Sequence, residues 1–158
     1  MTMNKLLTSI SVVCVLCACG SSDDDDNKDM TYPEIVTNEQ SAPYDCDAYK
    51  RGSSIPFNCI FKDDTELGAY NIEIHHNFDH HTHSTSATEC EMDANKQPQH
   101  PWTFNNDYVI PEGLHEYNAS FSIPIPEDID TGDYHFMVRV TDKAGWQQLR
   151  AMAIKIVE

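Results

Sequence analysis

The sequence is poor in basic residues, and this shortage excludes several classes of partner. Ten lysines and arginines stand against 26 aspartates and glutamates, and the formal net charge at pH 7 is −16. Such a surface repels nucleic acids and anionic lipid headgroups and attracts cations, although solubility alone explains most of the acidity. The chain also lacks a phosphate-binding glycine loop and a nucleotide fingerprint. We therefore expect no nucleic-acid partner.

The N-terminal residues are typical of a targeting segment rather than of a folded domain. Lys5 supplies the positive charge that precedes the apolar stretch of a signal peptide. The apolar stretch over residues 6–16 is too short to span a membrane but has the length found in signal peptides. The tetrad Leu16-Cys17-Ala18-Cys19 resembles the lipobox of bacterial lipoproteins. This resemblance implies a signal peptide over residues 1–18 and lipidation of Cys19.

Residues 19–30 are acidic and small, and we expect them to form a flexible tether. The run from Gly20 to Asp26 resembles the acidic export signal that sends lipoproteins of Bacteroidetes to the outer face of the outer membrane. The resemblance implies a lipid-anchored, surface-exposed protein of the outer membrane, which contacts the membrane only through its anchor. Without the signal peptide, nine basic against 26 acidic residues give a charge of −17.

The remaining residues, 31–158, alternate between apolar and polar side chains in short segments, and none shows the period of a helix. Such alternation is typical of half-buried strands. It is clearest over residues 55–61, 70–75, 117–123, 134–141 and 149–157. Loops are expected at 38–53 and 77–106. About seven short antiparallel strands separated by turns predict an all-β domain, an Ig-like β-sandwich. Tyr134 stands where an aromatic residue often packs at a sandwich corner.

Five of the eight histidines fall within nine residues, from His75 to His83. Imidazole is the commonest protein ligand of transition metals and is neutral near pH 7. Short histidine-rich tracts also occur as solvated loops without a fixed role. The position of the tract in the fold therefore decides between a metal site and a loop.

The predicted sandwich brings a sixth, distant histidine to this tract. Strands 69–76 and 134–141 are expected to lie side by side and antiparallel, so that the end of the first faces the start of the second. His75 and His135 both point outward, because Ile74 takes the inward parity. Facing side chains have Cβ atoms within about 5 Å. Two imidazoles at that spacing can share a metal with bonds of about 2.0–2.1 Å.

The loop after His75 offers residues to complete a tetrahedral shell. His80 and His83 are the preferred pair by reach, and His81 is a further candidate. Asp79 is either a ligand or an acceptor that holds an imidazole tautomer, and the sequence leaves this open. His76 has the inward parity, so we expect it at the edge of the core.

Three cysteines remain in the mature chain besides Cys19, and an odd number in an oxidising compartment implies one pair. Cys59 has the inward parity of its strand and is expected to be a small buried hydrophobe. Cys46 and Cys90 lie in loops at the histidine end of the sandwich. We therefore expect a Cys46–Cys90 disulfide, with thiolate ligation of a metal by Cys90 as the alternative.

Three motifs support a family assignment: Gly132–Phe136, Val140–Gly145 and the histidine-rich Ile74–His83. Together they resemble a Bacteroidetes lipoprotein family known as domain of unknown function 4625, over residues 31–157. The resemblance implies an Ig-like fold, a surface location and a histidine-rich segment, and it assigns no activity.

Metal binding is the function these observations favour. We expect a surface-anchored protein that binds zinc through His75, His135 and the loop residues, since imidazole suits zinc and the site offers no Met/Cys set. Copper is the alternative metal, because Met137 shares the outward face with His135. Captured metal would pass to an outer-membrane transporter or stabilise the fold.

Two other classes of function stay open. The first is an adhesion or glycan-contact module with a structural metal or none. The second is a metal-dependent hydrolase with Asp79 or Glu73 as general base. No nucleophile motif or pair of catalytic carboxylates supports an enzyme, so we expect none.

Overall fold

The computed structural model describes residues 28–82 and 90–158, which form two packed β-sheets with no helix in the described residues. None of these residues belongs to a helix long and apolar enough to cross a membrane. The strands are β1 (Glu34–Val36), β2 (Asp47–Lys50), β3 (Ser54–Lys62), β4 (Leu67–His76), β5 (Phe104–Val109), β6 (Glu116–Pro124), β7 (Gly132–Asp142) and β8 (Gln147–Val157). The signal peptide, Cys19 and His83 lie outside the described residues.

The small sheet has the order β1-β3-β6 and the large sheet the order β2-β8-β7-β4-β5. All neighbours are antiparallel except β2 and β8, which are parallel. The predicted all-β sandwich is confirmed, with eight strands instead of about seven. Strand β2 lies in the segment 38–53 that was expected to be a loop, and β5 begins within the expected loop 77–106 and continues to Val109. Both are short edge strands whose side chains are exposed or only partly buried, so they lack the run of buried alternate residues that marks an inner strand.

The core lies between the sheets and follows the predicted parity. On β3, Ile55, Phe57 and Phe61 are fully or almost fully buried. Phe57 contacts Phe136 of β7 across the core, with ring centroids 5.9 Å apart. Burying a side chain of this size stabilises the fold by roughly 1.5–3 kcal/mol. Alternating aromatic and aliphatic residues therefore hold the two sheets together.

Tyr134 anchors the loop that precedes β7. Its ring is buried, and its hydroxyl donates to the Asp130 carbonyl at 2.7 Å and accepts from the Trp102 amide at 3.3 Å. A tyrosine hydroxyl bonded to backbone a few residues upstream is a recurrent corner of β-sandwiches. The corner fixes the start of β7, where His135 follows directly.

The pairing of β4 with β7 places the two distant histidines opposite each other. The register joins Ile74 to Phe136, His75 to His135 and His76 to Tyr134. Ile74 and Phe136 are fully buried. The side chains of His75 and His135 therefore stand on the other face of the large sheet.

A disulfide joins Cys46 to Cys90, the pairing expected from the strand layout. Cys46 directly precedes β2, and its amide donates to the Ala153 carbonyl of β8 at 2.8 Å. The bridge therefore ties the segment that follows the histidine tract to the large sheet. Cys59 is free and buried, and burial raises the pKa of its thiol to about 12. A thiol of this kind is unreactive at neutral pH.

Candidate metal centre

Three imidazoles from separate parts of the chain gather on the outer face of the large sheet. His75 is the last residue but one of β4, His81 lies in the loop that follows, and His135 stands near the start of β7. The ring centroids are 5.4 Å apart for His75 and His81, 5.5 Å for His75 and His135, and 5.1 Å for His81 and His135. We call these three residues the histidine trio.

The closest approach in the trio joins two ring nitrogens. Nε2 of His75 and Nε2 of His81 are 3.3 Å apart. Four nitrogens around a zinc ion at about 2.0–2.1 Å occupy the corners of a tetrahedron whose edge is about 3.3–3.4 Å. The two nitrogens are thus already at the separation that a shared tetrahedral ion requires.

A carboxylate orients the His81 ring. Nδ1 of His81 lies 2.6 Å from Oδ1 of Asp79. Because a carboxylate only accepts hydrogen bonds, Nδ1 carries the proton and the lone pair of the neutral ring is on Nε2. The same hydrogen bond is the main reason that the pKa of Asp79 lies below its usual value. This contact favours the second of the two predicted roles of Asp79, the acceptor that holds a tautomer.

His75 has a similar neighbour, Glu73, which the sequence suggested only as a general base. Oε1 of Glu73 lies 3.0 Å from Nδ1 of His75, at ion-pair distance but away from the direction of a good hydrogen bond. Glu73 stands two residues before His75 on β4. Because side chains two positions apart in a strand share a face, the sequence could have predicted this contact.

The chemistry of the contact between the two Nε2 atoms depends on the tautomer of His75. With its proton on Nε2, His75 donates a hydrogen bond to Nε2 of His81. With its proton on Nδ1, beside Glu73, both Nε2 atoms carry lone pairs, and a metal ion can bind between them. Carboxylates behind metal-binding imidazoles are the usual second layer of such sites.

His135 is the most buried member of the trio, with 9% of its surface exposed. Its Nε2 lies 3.1 Å from the carbonyl oxygen of His81. Since a carbonyl only accepts, Nε2 is the donor, and Nδ1 carries the lone pair of the neutral ring. His135 therefore both supports the loop and completes the trio.

The other histidines of the tract take different positions. His80 adopts a left-handed backbone with φ of 58°, and its Nε2 is 2.9 Å from the Asp93 carbonyl. The ring contacts of the described residues do not join His80 to the trio. His76 packs against Phe78 with centroids 4.9 Å apart, at the edge of the core as expected. Because Cys90 is in the disulfide, its sulfur is not a thiolate ligand here.

An ion-pair network secures the loop next to the trio. The amide of Asp93 donates to Asp133 Oδ2 at 2.7 Å, and Lys155 Nζ lies 2.7 Å from Asp93 and 3.4 Å from Asp133. The bond to Asp93 is the main cause that raises the pKa of Lys155. These bonds hold the segment after Cys90 against β7 and β8, beside the position of His135.

Comparisons with known proteins identify a family but no activity. The search of curated proteins found no match. Among solved structures, the chain is similar to Spo0M, a sporulation control protein from Bacillus subtilis, with 12% identity and a TM-score of 0.39. The match covers 80% of this chain and 49% of that one, so the chain spans about half of its length. Residues 17–157 match the family described as Domain of unknown function (DUF4625), and the chain belongs to that family.

Proposed function

We propose that this protein binds a transition-metal ion, zinc first, between the imidazoles of His75, His81 and His135. The observation that carries the proposal is the pair of Nε2 atoms 3.3 Å apart, each on a ring whose Nδ1 lies beside a carboxylate. A metal bridges such a pair without any rearrangement of β4. His83 stays a candidate for the fourth ligand, with water as the alternative.

Zinc is preferred because neutral imidazoles held by carboxylates suit it. Copper is the second choice, supported by Met137, which is buried two residues after His135 and pairs with Glu73 across β4 and β7. A thioether near three imidazoles favours copper over zinc. The experiment therefore has to distinguish zinc from copper as the bound ion.

The proposed role is metal capture at the cell surface by a lipid-anchored, Ig-like protein of the Bacteroidetes outer membrane. Cys19 would carry the lipid, and an outer-membrane transporter would be the recipient of the metal. The part of the predicted tether that precedes Asp29 would link the lipid to the domain, because Asp29 itself is bonded to Trp146. The strong negative charge of the chain supports attraction of cations from solution. A water in the fourth position would favour transfer of the ion, whereas a closed shell of four protein ligands would favour a structural role.

The test combines elemental analysis of the purified protein with calorimetric titration of zinc and copper. We expect one bound ion per chain, and we expect its loss in the His75→Ala, His135→Ala double variant. His115→Ala is the matched control, because it removes an exposed histidine outside the tract. Unchanged affinity in the double variant, or equal loss in the control, would sink the proposal.

A second candidate is an adhesion or glycan-contact module. Tyr32 is 61% exposed and packs on Trp146 with centroids 4.8 Å apart, which is the kind of aromatic platform that contacts sugars. Trp102, by contrast, is part of the core. Binding to a glycan array that is lost in Tyr32→Ala and kept in the histidine double variant would favour this candidate.

A further inference from the structure

A cluster of three carboxylates lies at the opposite end of β7 from the histidine trio. Asp142 ends β7, Asp63 directly follows β3, and Asp29 precedes β1. One carboxylate oxygen from each residue lies within 4.8 Å of the other two. We call these residues the aspartate cluster.

Two members of the cluster are buried, and only one oxygen of each carboxylate accepts hydrogen bonds. Asp63 is 9% exposed and Asp142 is 4% exposed, and Oδ2 of each has no hydrogen-bond partner. In each residue Oδ1 already accepts two backbone amides, at 2.9 and 2.7 Å in Asp63 and at 2.6 and 2.8 Å in Asp142. A buried charged oxygen without a partner carries a large desolvation cost.

Basic side chains of the described residues do not neutralise the cluster. The ion pairs among these residues include none with Asp29, Asp63 or Asp142. Lys143 follows Asp142 in the chain, but its ammonium lies beside Glu66 and Glu112. Burial, reinforced by the charges of Asp63 and Asp29, raises the pKa of Asp142 against the effect of its amide donors. Negative charge is therefore concentrated here without a positive partner from this part of the chain.

We infer that the aspartate cluster binds a hard divalent cation, calcium, at a site separate from the histidine trio. Calcium takes six to eight oxygen ligands at about 2.3–2.6 Å. Oxygens within 4.8 Å of one another fit around one such ion. The calcium ion would contact the two buried Oδ2 atoms, while the two Oδ1 atoms keep their hydrogen bonds from the backbone amides. Water supplies the remaining ligands.

The ion would fasten the start of the domain to its last hairpin. The Asp29 carbonyl accepts a hydrogen bond from Trp146 Nε1 at 3.0 Å, and the Asp29 carboxylate accepts one from the Thr31 amide at 2.9 Å. Trp146 lies in the turn between β7 and β8, and its own amide is one of the two that donate to Asp142. Calcium would thus join three chain segments and add to the hydrogen bonds and the Tyr32–Trp146 ring contact that already connect the first segment to the hairpin.

The test is the thermal unfolding and calorimetric titration of the purified protein, first stripped of ions and then given calcium up to about 1 mM, the weak end of extracellular calcium sites. We expect one calcium ion per chain and a rise of Tm. In Asp142→Asn the remaining amide oxygen still accepts the turn amides, but the repulsion is relieved. We therefore expect this variant to melt higher than wild type without calcium, and to gain nothing from calcium.

Asp29→Asn is the second variant, because Asp29 is less buried and its substitution leaves both turns intact; we expect at least a tenfold loss of calcium affinity. Asp128→Asn is the charge-matched control in an exposed turn and should respond like wild type. The His75→Ala, His135→Ala variant should also keep its calcium response, which separates this inference from the zinc proposal.

Absence of calcium binding by wild type, or a retained response in Asp142→Asn or Asp29→Asn, would overturn the site. An equal response to magnesium would overturn the assignment to calcium.

Discussion

The substitution Asp79→Asn tests whether a carboxylate prepares the metal centre. Asp79 is exposed, and its Oδ1 holds Nδ1 of His81 at 2.6 Å. Asparagine keeps the shape but loses the charge, and its amide group can also turn its donor toward Nδ1. That orientation would move the imidazole proton to Nε2, the nitrogen that faces His75. The ring would then present a hydrogen where the metal needs a lone pair.

The expected effect is a loss of zinc affinity of about 10- to 100-fold, which is the usual result of removing a carboxylate behind a metal-binding imidazole. The fold itself should be unaffected, within about 0.5 kcal/mol, because the side chain is on the surface. Competition with a chromophoric zinc chelator measures the affinity, and urea unfolding of the metal-free protein measures the stability. The two readouts separate orientation of a ligand from a general weakening of the domain.

Asp128→Asn controls for the loss of one negative charge, and a double-mutant cycle with His81→Ala gives the decisive result. If Asp79 acts through the His81 ring, Asp79→Asn has no further effect once His81 is alanine. An undiminished effect in the His81→Ala background would refute the reasoning and reduce Asp79 to a distant charge. Equal losses in Asp79→Asn and Asp128→Asn would refute it as well.

Three further predictions concern the support of the site and the core. Glu73→Gln should lower zinc affinity by about 10-fold without shifting the unfolding midpoint, measured in the same chelator competition; a normal affinity would show that the 3.0 Å contact with His75 has no orienting role. Replacing Cys46 and Cys90 by serine opens a loop with a sequence separation of 44. The free energy of unfolding measured in urea should fall by about 2–5 kcal/mol, and a change near zero would contradict this prediction. Phe57→Ala should destabilise the fold by about 3–5 kcal/mol in the same assay, since the ring is buried between the sheets; a cost below about 1 kcal/mol would mean the core repacks.

The sequence predicted best where a strand has one buried face. Apolar alternation marked β3, β4 and β7, and the adjacency of β4 and β7 then placed His75 opposite His135 although 60 positions separate them. The short edge strands β2 and β5 carry a weaker signal, because none of their side chains is fully buried. Tertiary pairing with β8 and β4 decides their conformation instead.

The loop contribution to the proposed metal centre was harder to predict. Reach along the chain favoured His80 and His83. The structure brings His81 to the trio and directs His80 to Asp93, while His83 lies outside the described residues. His80 has a left-handed backbone and closes a turn, since its amide donates to the Asn77 carbonyl at 3.3 Å. No pattern in the sequence specifies that conformation, since histidine adopts it only occasionally.

The aspartate cluster was invisible in the sequence for a different reason. Asp63 and Asp142 are ordinary turn residues by sequence, and Asp29 falls in a stretch expected to be a tether. Only the meeting of three chain segments at one end of the sandwich makes them a group. Turn aspartates usually satisfy themselves on nearby amides, and the unpartnered second oxygens are a tertiary property.

Strand β7 separates the two proposed sites and sets a spacing between them. His135 and Asp142 stand seven residues apart on this strand, which at about 3.3 Å per residue is roughly 23 Å. The N-terminal segment leaves the sandwich beside Asp142, because Asp29 is bonded to the adjacent turn. Anything attached to the N-terminus therefore emerges at one pole of the domain while the imidazoles occupy the other. Under the proposed lipid anchorage at Cys19, the histidine end is therefore the pole of the domain farther from the point where the tether is attached.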